Sequence, residues 1–172
     1  MILNAGRFIA SKHQDLLIEY FEQIEDPDWT LRFLGDGPKW EEVKAKAARS
    51  PKKEQIEFLG NVNPISPYYQ EAGIFAFTSS SEGFPNALGE AMSAACPVIS
   101  FDCEAGPADL IENEISGYLV DLMNHKDYIA KLKLLVSDAS KRESLGAAAR
   151  EQMQSFELSK ICKNYLNFML AS

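Results

Sequence analysis

Short apolar runs alternate with amphipathic segments along most of the chain. Runs rich in Ile, Val, Leu and Phe and bounded by Gly, Pro or Asp predict buried β-strands. The predicted strands lie at about residues 2–6, 30–35, 55–60, 73–78, 97–102 and 117–120. Because these strands alternate with helical patterns, they predict parallel βαβ units joined in one doubly wound, Rossmann-like sheet of about six strands.

Apolar residues recur at helical spacing between the strands, as in "QDLLIEYFEQI", where Leu17, Phe21 and Ile24 share one face. After the last strand the pattern is helical to the end of the chain. Helices are predicted at about 14–24, 39–49, 66–72, 86–95, 107–112, 124–137, 139–154 and 158–170. The sequence therefore predicts an α/β fold in a single domain over 1–172, with flanking helices and extra C-terminal helices.

Composition and charge narrow the function classes. The chain has 172 residues and a net charge of −8, which argues against a nucleic-acid partner. Its three cysteines form no C-x-x-C pair and are expected to be reduced thiols. His13 and His125 lie far apart, so no zinc site is predicted. No apolar run is long enough for a membrane span and no leader is recognisable, so a cytoplasmic protein is expected.

The segment "SSSEGFPNALGEAM" places Glu82 and Glu90 on either side of a predicted strand-to-helix turn. Asn86 is predicted to cap the following helix, and the free amides of its first turn would form an anion site. Glu82 and Glu90 could then accept hydrogen bonds from ligand hydroxyls. Taken alone, the two carboxylates are as well explained by a solvated loop residue and a helix-dipole partner.

Two cations follow the first predicted strand in "AGRFIASK". Arg7 comes directly after the strand, and Lys12 is expected to open the next helix. Together they could bind a diphosphate, the guanidinium as a fork and the ammonium as a point charge. The alternative is two ordinary surface side chains. The glycine-rich "GDGPK" lacks the spacing of a phosphate-binding loop and is interpreted as a turn.

In order and spacing, "AGRF", "LRFLGDGP", "IEFLGNV", "SEGFPNALGEAMSAACPVI", "GPADLI" and "GYLV" resemble a known family. They are similar to the C-terminal, nucleotide-sugar-binding domain of retaining glycosyltransferases of family four, which have the two-domain GT-B architecture. The two carboxylates eight positions apart match the family signature. Two positions depart from it, Ala95 where glycine is usual and Gly89 where a larger apolar residue is usual, and both leave the packing of this helix open.

The resemblance implies a role for each matching residue. Arg7 and Lys12 would hold the donor diphosphate and stabilise the leaving group, and Glu82 would contact the donor sugar, so these three are the predicted catalytic residues. Glu90 would accept from the ribose hydroxyls, while Asn61 and Val62 would contact the base. The predicted donor-binding residues are Gly6, Asn61, Val62, Gly83, Phe84, Pro85, Asn86, Ala87, Leu88 and Glu90.

The family also implies a partner that this sequence does not supply. Its members carry an N-terminal acceptor-binding domain, so the chain is expected to bind the nucleotide sugar, a UDP-sugar by preference, and to be inactive alone. The expected reaction is retaining transfer of a hexosyl or N-acetylhexosaminyl group in bacterial surface polysaccharide or glycan assembly, without a metal or other cofactor. Peripheral membrane association of the full enzyme is left open, as are two alternatives, one subunit of a two-chain enzyme and a non-catalytic binding module.

Overall fold

Six parallel strands form one sheet in the computed structural model, which describes residues 1–170. The strands are β1 Ile2–Ala5, β2 Leu31–Leu34, β3 Ile56–Gly60, β4 Ile74–Phe77, β5 Val98–Asp102 and β6 Tyr118–Asp121. They pair in the order β3-β2-β1-β4-β5-β6, and every pair is parallel. The predicted doubly wound sheet is confirmed.

Eight α-helices accompany the sheet in the described part of the chain. They are α1 Gln14–Glu22, α2 Trp40–Ala47, α3 Ser66–Glu71, α4 Asn86–Ser93, α5 Pro107–Leu110, α6 His125–Ser137, α7 Ala139–Met153 and α8 Leu158–Leu170. Each predicted helix is present, although α1, α2, α4 and α5 end two residues earlier than predicted. At the end of α1 the amides of Gln23 and Ile24 bond three residues back, to Tyr20 and Phe21, which tightens the last turn and ends the helix.

The sheet is apolar on both faces because helices cover both of them. One face packs against α1, α2 and α6 through Leu17, Val43 and Leu132. The other face packs against α3, α4 and α7, as at Leu88 and Ala149. Strands buried on both sides have near-continuous apolar runs rather than alternation with polar residues, which explains the sequence pattern.

The strand order changes direction between β1 and β4, which are neighbours in the sheet. From β1 the chain proceeds to β2 on one side, and from β4 it proceeds to β5 on the other side. The loops after β1 and β4 therefore diverge and leave a crevice at the carboxyl ends of the strands. Both charged segments singled out in the sequence, 5–12 and 79–92, follow β1 and β4 at this crevice.

Two local predictions at these loops are wrong. Asn86 does not cap α4, because the carbonyl oxygen of Pro85 accepts the first bonds, from the amides of Leu88 and Gly89, and Asn86 is the first helical residue. Lys12 does not open α1, because it ends a separate 3-10 turn and is followed by His13 in a left-handed conformation (φ 48°).

The two departures from the family pattern have distinct structural settings. Gly89 is buried where α7 crosses α4, and a Cβ there would lie 3.3 Å from Met153 Cε. Its lack of a side chain therefore lets α7 approach. Ala95 follows α4 with φ +60°, a conformation that costs a residue with a Cβ about 1–2 kcal/mol.

Ala95→Gly is expected to stabilise the protein, since glycine adopts this conformation without strain. Glycine also gains freedom in the unfolded chain, so the net effect should be about 0.5–1 kcal/mol, or a rise in Tm of about 1–4 °C. The matched control is Ala94→Gly, because Ala94 has φ −81° and glycine there should lower Tm. Thermal unfolding checks both, and a fall in Tm for Ala95→Gly as well would contradict the assignment of strain.

Candidate functional site

The loop after β1 carries both predicted cations, and it places them differently. Arg7 is exposed. The Lys12 side chain is only 18% exposed, and its Nζ forms an ion pair with Oε1 of Glu82, which is 8% exposed. The ammonium also lies 5.2 Å from the ring centroid of Phe77, the last residue of β4. The structure therefore brings Lys12 and Glu82 together across the crevice and leaves Arg7 free at its rim.

Residues directly after β4 bond to the loop after β1 that carries Arg7 and Lys12, here called the cation loop, and hold it in place. Thr78 Oγ1 donates to the carbonyl oxygen of Lys12 at 2.8 Å, and the amide of Ser80 donates to the carbonyl oxygen of Ser11 at 2.8 Å. The ring Nε2 of His13 lies 2.8 Å from Ser80 Oγ. The sequence interpretation missed these contacts, and their one signal was the run of hydroxyl residues directly after a strand.

The glycines of "GDGPK" allow a close approach between two loops. A Cβ on Gly35 (φ +116°) would lie 2.0 Å from the carbonyl oxygen of Gly6, and one on Gly37 would lie 2.5 Å from that of Phe8. The loop after β2 therefore packs directly on the backbone of the cation loop. This packing agrees with the interpretation of the segment as a turn.

The loop before α4 and the first turn of α4 leave fewer unbonded amides than predicted. The amides of Asn86 and Leu88 donate to the carbonyl oxygens of Phe84 and Pro85. Within residues 1–170, no acceptor is found for the amides of Gly83, Phe84 and Ala87. These three amides are therefore the ones that a ligand could engage without breaking an existing bond.

Two predicted contact residues are held in the protein interior. The side chain of Leu88 is fully buried in the core. Pro85 is buried and has no amide hydrogen, and a Cβ on Gly106 would lie 2.5 Å from its Cδ. Both residues therefore fix the shape of the loop, and their contact with a donor stays a prediction.

Glu90 has a partner that the sequence interpretation did not identify. The hydroxyl of Tyr69, in α3, donates to Glu90 Oε2 at 3.0 Å. Tyr69 is buried, whereas Glu90 is exposed at the surface of α4. Burial, followed by the nearby Glu90 carboxylate, raises the pKa of Tyr69 far above its usual value, so the phenol stays protonated and can only donate to the carboxylate.

A buried thiol lies close to the ion pair. Cys103 follows β5, and burial together with the charge of Glu82 raises the pKa of its thiol. Burial likewise raises the pKa of Cys96 to about 12. Both thiols are buried and are therefore neutral packing groups.

Two open clefts meet at this edge of the sheet. The β1 cleft, about 490 Å³, is lined by Ala5, Gly6, Arg7, Leu34, Gly35, Asp36, Gly37, Asn61, Val62 and Ile65. The α4 groove, about 560 Å³, is lined by Ile65, Ser66, Tyr69, Gln70, Phe84, Asn86, Gly89, Glu90, Ser93, Ala94 and Met153. Ile65 lines both, so the two form neighbouring parts of one surface.

The predicted site residues divide between these clefts. Gly6, Arg7, Asn61 and Val62 line the β1 cleft, and Phe84, Asn86 and Glu90 line the α4 groove. The remaining predicted residues, Lys12, Glu82, Gly83, Pro85, Ala87 and Leu88, line neither. An elongated ligand with several polar groups would fit this arrangement better than a compact one.

The described residues contain neither a cluster of metal-ligating side chains nor a helix suited to span a membrane. Over residues 1–170, no group of three or more His, Cys, Asp or Glu side chains could hold a metal ion. No helix in the same range has the length and apolar character needed to cross a membrane.

Comparison with known proteins gives the family. A family model described as "Glycosyl transferases group 1" matches residues 1–152. The chain is 30% identical over 164 residues to the amylovoran biosynthesis glycosyltransferase AmsD of Erwinia amylovora, covering 95% of this chain and 46% of that protein. It is 29% identical to the N-acetylgalactosamine-N,N'-diacetylbacillosaminyl-diphospho-undecaprenol 4-alpha-N-acetylgalactosaminyltransferase of Campylobacter jejuni, with 98% and 46% covered. The chain thus spans about half the length of these relatives.

The fold agrees with this family. The crystal structure of a mutant of TarM from S. aureus, in complex with Fondaparinux, alpha-GlcNAc-glycerol and UDP, superimposes with a TM-score of 0.90 at 26% identity. The superposition covers 96% of this chain and 34% of TarM. The crevice described above therefore belongs to a domain that recurs within longer proteins.

Proposed function

The chain belongs to the group 1 glycosyl transferase family, and on this premise we propose that it binds the nucleoside diphosphate sugar donor of a retaining transferase. The observation that carries the proposal is the Lys12–Glu82 ion pair at the crevice between β1 and β4. The pair joins the loop after β1 to the segment that leads into α4, where the amides of Gly83, Phe84 and Ala87 have no acceptor within residues 1–170. Such a set suits a ligand that carries both phosphates and hydroxyl groups.

The proposed chemistry assigns a task to each group. Transfer separates a nucleoside diphosphate from a sugar that develops oxocarbenium character, so negative charge grows on the departing phosphate. Lys12 and Arg7, with the amides of Gly83 and Ala87, would stabilise that charge. Glu82 would then hold hydroxyl groups of the donor sugar. The protein would supply electrostatics and alignment, with the acceptor delivered in line by another domain.

The nucleotide and the sugar are proposed from the relatives. UDP is the favoured nucleotide because the similar TarM structure contains it. Transfer of a hexosyl or N-acetylhexosaminyl group is proposed because the Campylobacter relative is an N-acetylgalactosaminyltransferase. The alpha linkage in the Campylobacter name is the product that retention would give from an alpha-linked donor. AmsD is a biosynthetic glycosyltransferase for amylovoran, which supports a role in bacterial polysaccharide or glycan assembly.

The site that binds the acceptor is proposed to lie outside residues 1–172. Because the chain spans 46% of AmsD, we place acceptor binding in a further domain, on the same or a separate chain. A cytoplasmic location is part of the same proposal. So is metal-independent binding, since Lys12 and Arg7 can supply the positive charge that a divalent cation would otherwise provide.

Calorimetry of this chain with UDP, GDP and ADP tests the proposal. UDP is expected to bind with measurable heat, and its affinity should be equal with EDTA and with Mg²⁺. Transfer from a UDP-sugar to an added acceptor should be undetectable, because we propose that another domain aligns the acceptor. The absence of heat from all three nucleotides at millimolar concentration would refute donor binding. Transfer by this chain alone would refute the proposal that another domain binds the acceptor.

A further inference from the structure

One buried hydroxyl fixes an exposed carboxylate in the α4 groove. Tyr69 Oη donates to Oε2 of Glu90 at 3.0 Å, across the space between α3 and α4. The tyrosine is 2% exposed, and its ring packs edge-on against Phe75, with 5.6 Å between ring centroids. The donor is therefore held by the core, while the acceptor belongs to the open groove.

We propose that Tyr69 is a positioning residue for nucleotide recognition, holding the Glu90 carboxylate so that its second oxygen meets the ribose of the donor. The inference rests on the proposed donor binding and goes beyond it, because it makes discrimination between ribose and deoxyribose depend on a residue that lies outside the family signature. Tyr69 itself is not a catalytic residue, since its hydroxyl is already engaged by Glu90.

An exposed glutamate needs such support to recognise a diol. Its side chain has several rotatable bonds, and a ligand that must order it loses affinity. A hydrogen bond from a rigid donor to one oxygen orders the carboxylate before the ligand arrives. The other oxygen, with the remaining lone pair of the first, stays available for two neighbouring hydroxyl groups.

The direction of this hydrogen bond is fixed by the surroundings of Tyr69. Burial and the adjacent negative charge raise the pKa of the Tyr69 hydroxyl, so the phenol stays protonated and donates to Glu90. No lysine or arginine is paired with Glu90 within the described residues. The Glu90 carboxylate therefore accepts from a neutral donor and is not neutralised by a cation, so it remains a strong hydrogen-bond acceptor.

The position of Tyr69 also links two parts of the site. It lies on α3, one turn after Ile65, the residue shared by the β1 cleft and the α4 groove. The loop that holds Asn61 and Val62 leads directly into this helix. A nucleoside with its base at that loop would have its ribose near Glu90, so α3 would set the spacing between the two contacts.

A simpler explanation is that Tyr69 is a core residue whose hydroxyl takes the nearest acceptor. In that case its loss would weaken all ligands alike, through stability or packing. The two explanations differ in one measurable quantity, the ratio of the affinities for UDP and for 2′-deoxy-UDP. Positioning of the carboxylate changes this ratio, whereas general loosening does not.

The test is calorimetry of UDP, 2′-deoxy-UDP and pyrophosphate with the wild type and Tyr69→Phe, which removes only the hydroxyl. The wild type should prefer UDP over 2′-deoxy-UDP by about tenfold or more, the scale of a hydrogen bond to a charged group. Tyr69→Phe should reduce that preference by about threefold or more and leave pyrophosphate affinity unchanged. Glu90→Gln disturbs the same contact from the other side and should reduce it as well.

A control variant isolates the hydroxyl of Tyr69. Tyr68→Phe removes the same group from the neighbouring residue and should retain the wild-type ratio. In the Glu90→Gln background, Tyr69→Phe should have little further effect on the ratio, because the contact it removes is already disturbed.

The outcomes separate this inference from the proposed function. An unchanged UDP preference in folded Tyr69→Phe, or in Glu90→Gln, would overturn the positioning role while donor binding stands. A wild type that binds pyrophosphate and both nucleotides equally would do the same. A wild type that binds none of the three would overturn the proposed function itself, and the inference with it.

Discussion

Lys12→Met is expected to remove most of the affinity of this chain for UDP and for pyrophosphate. The substitution deletes the ammonium group but keeps an unbranched apolar side chain that can still lie over the ring of Phe77. A hydrogen bond between charged groups in a partly desolvated site contributes about 1.5–3 kcal/mol, so affinity should fall by roughly ten- to hundredfold. Because the lost group meets phosphate, both ligands should lose affinity by a similar factor.

The same substitution should also lower stability, for a separate reason. Glu82 is 8% exposed, and without Lys12 its carboxylate would be almost buried and unpaired. Breaking a fully buried pair costs about 3–5 kcal/mol, and we expect about 1–3 kcal/mol here because the Lys12 side chain reaches solvent. Urea unfolding measures this loss. The surface pair of Lys39 and Glu42 is the control, since Lys39→Met should cost less than about 1 kcal/mol.

The double variant Lys12→Met/Glu82→Gln separates the two effects. Removing both charges leaves no unpaired carboxylate, so most of the lost stability should return. Binding of pyrophosphate should not return, because the cation is still missing. If the double variant regained binding together with stability, Lys12 would be a structural residue, and the assignment of the diphosphate to this loop would be wrong.

The fold was predictable because the apolar runs and the residues that end helices and strands indicated the same elements. β1, "ILNA", and β4, "IFAF", are continuous apolar runs, which is the pattern of strands covered on both faces. Proline and glycine mark the ends of the elements between them. Where local rules failed, backbone bonding outweighed residue preference. At α4 the carbonyl of Pro85 began the helix, and Asn86, although a good capping residue, became the first helical residue.

The site was predictable only as far as strand ends could be aligned. The sequence predicted that Lys12 and Glu82 each follow a strand of a parallel sheet, and the structure shows that these strands, β1 and β4, are neighbours. Their ion pair was not predicted, because the two residues lie 70 positions apart in sequence and only the folded structure brings their side chains into contact. Tyr69 was missed for the same reason. It is one of two tyrosines on α3, and only the distance between its hydroxyl and Glu90 distinguishes it.

The Lys12–Glu82 ion pair and the Tyr69–Glu90 hydrogen bond change the interpretation of the two predicted carboxylates. Both were expected to be free acceptors for ligand hydroxyls. In the structure Glu82 is engaged by Lys12 and Glu90 by Tyr69, one by a charged donor and the other by a neutral donor. Binding of a phosphate at Lys12 would therefore compete with or share the contact to Glu82, whereas binding at Glu90 requires no exchange of partner. The two carboxylates should respond differently to mutation.

Glu90→Ala is expected to weaken UDP binding by about 1–3 kcal/mol, or roughly five- to hundredfold, with little effect on pyrophosphate. Glu90 lies in the α4 groove, whereas the cations meet at the loop after β1. Its loss should therefore remove contacts to the ribose and leave the phosphate site intact. Calorimetry with both ligands measures the difference, and urea unfolding measures the expected cost of leaving the buried Tyr69 hydroxyl without its acceptor, about 1–2 kcal/mol.

Removing any negative charge near an anion site can raise affinity for phosphates, so a charge control is required. Glu71→Ala removes the same charge from the exposed end of α3, and its effect on both ligands gives the general electrostatic contribution. After that correction, Glu90→Ala should weaken UDP alone. Equal losses for UDP and pyrophosphate would place Glu90 at the phosphates, and unchanged UDP affinity would remove it from the donor site. Either result would reassign the second carboxylate of the signature, because its ribose role depends on separation from the phosphate groups.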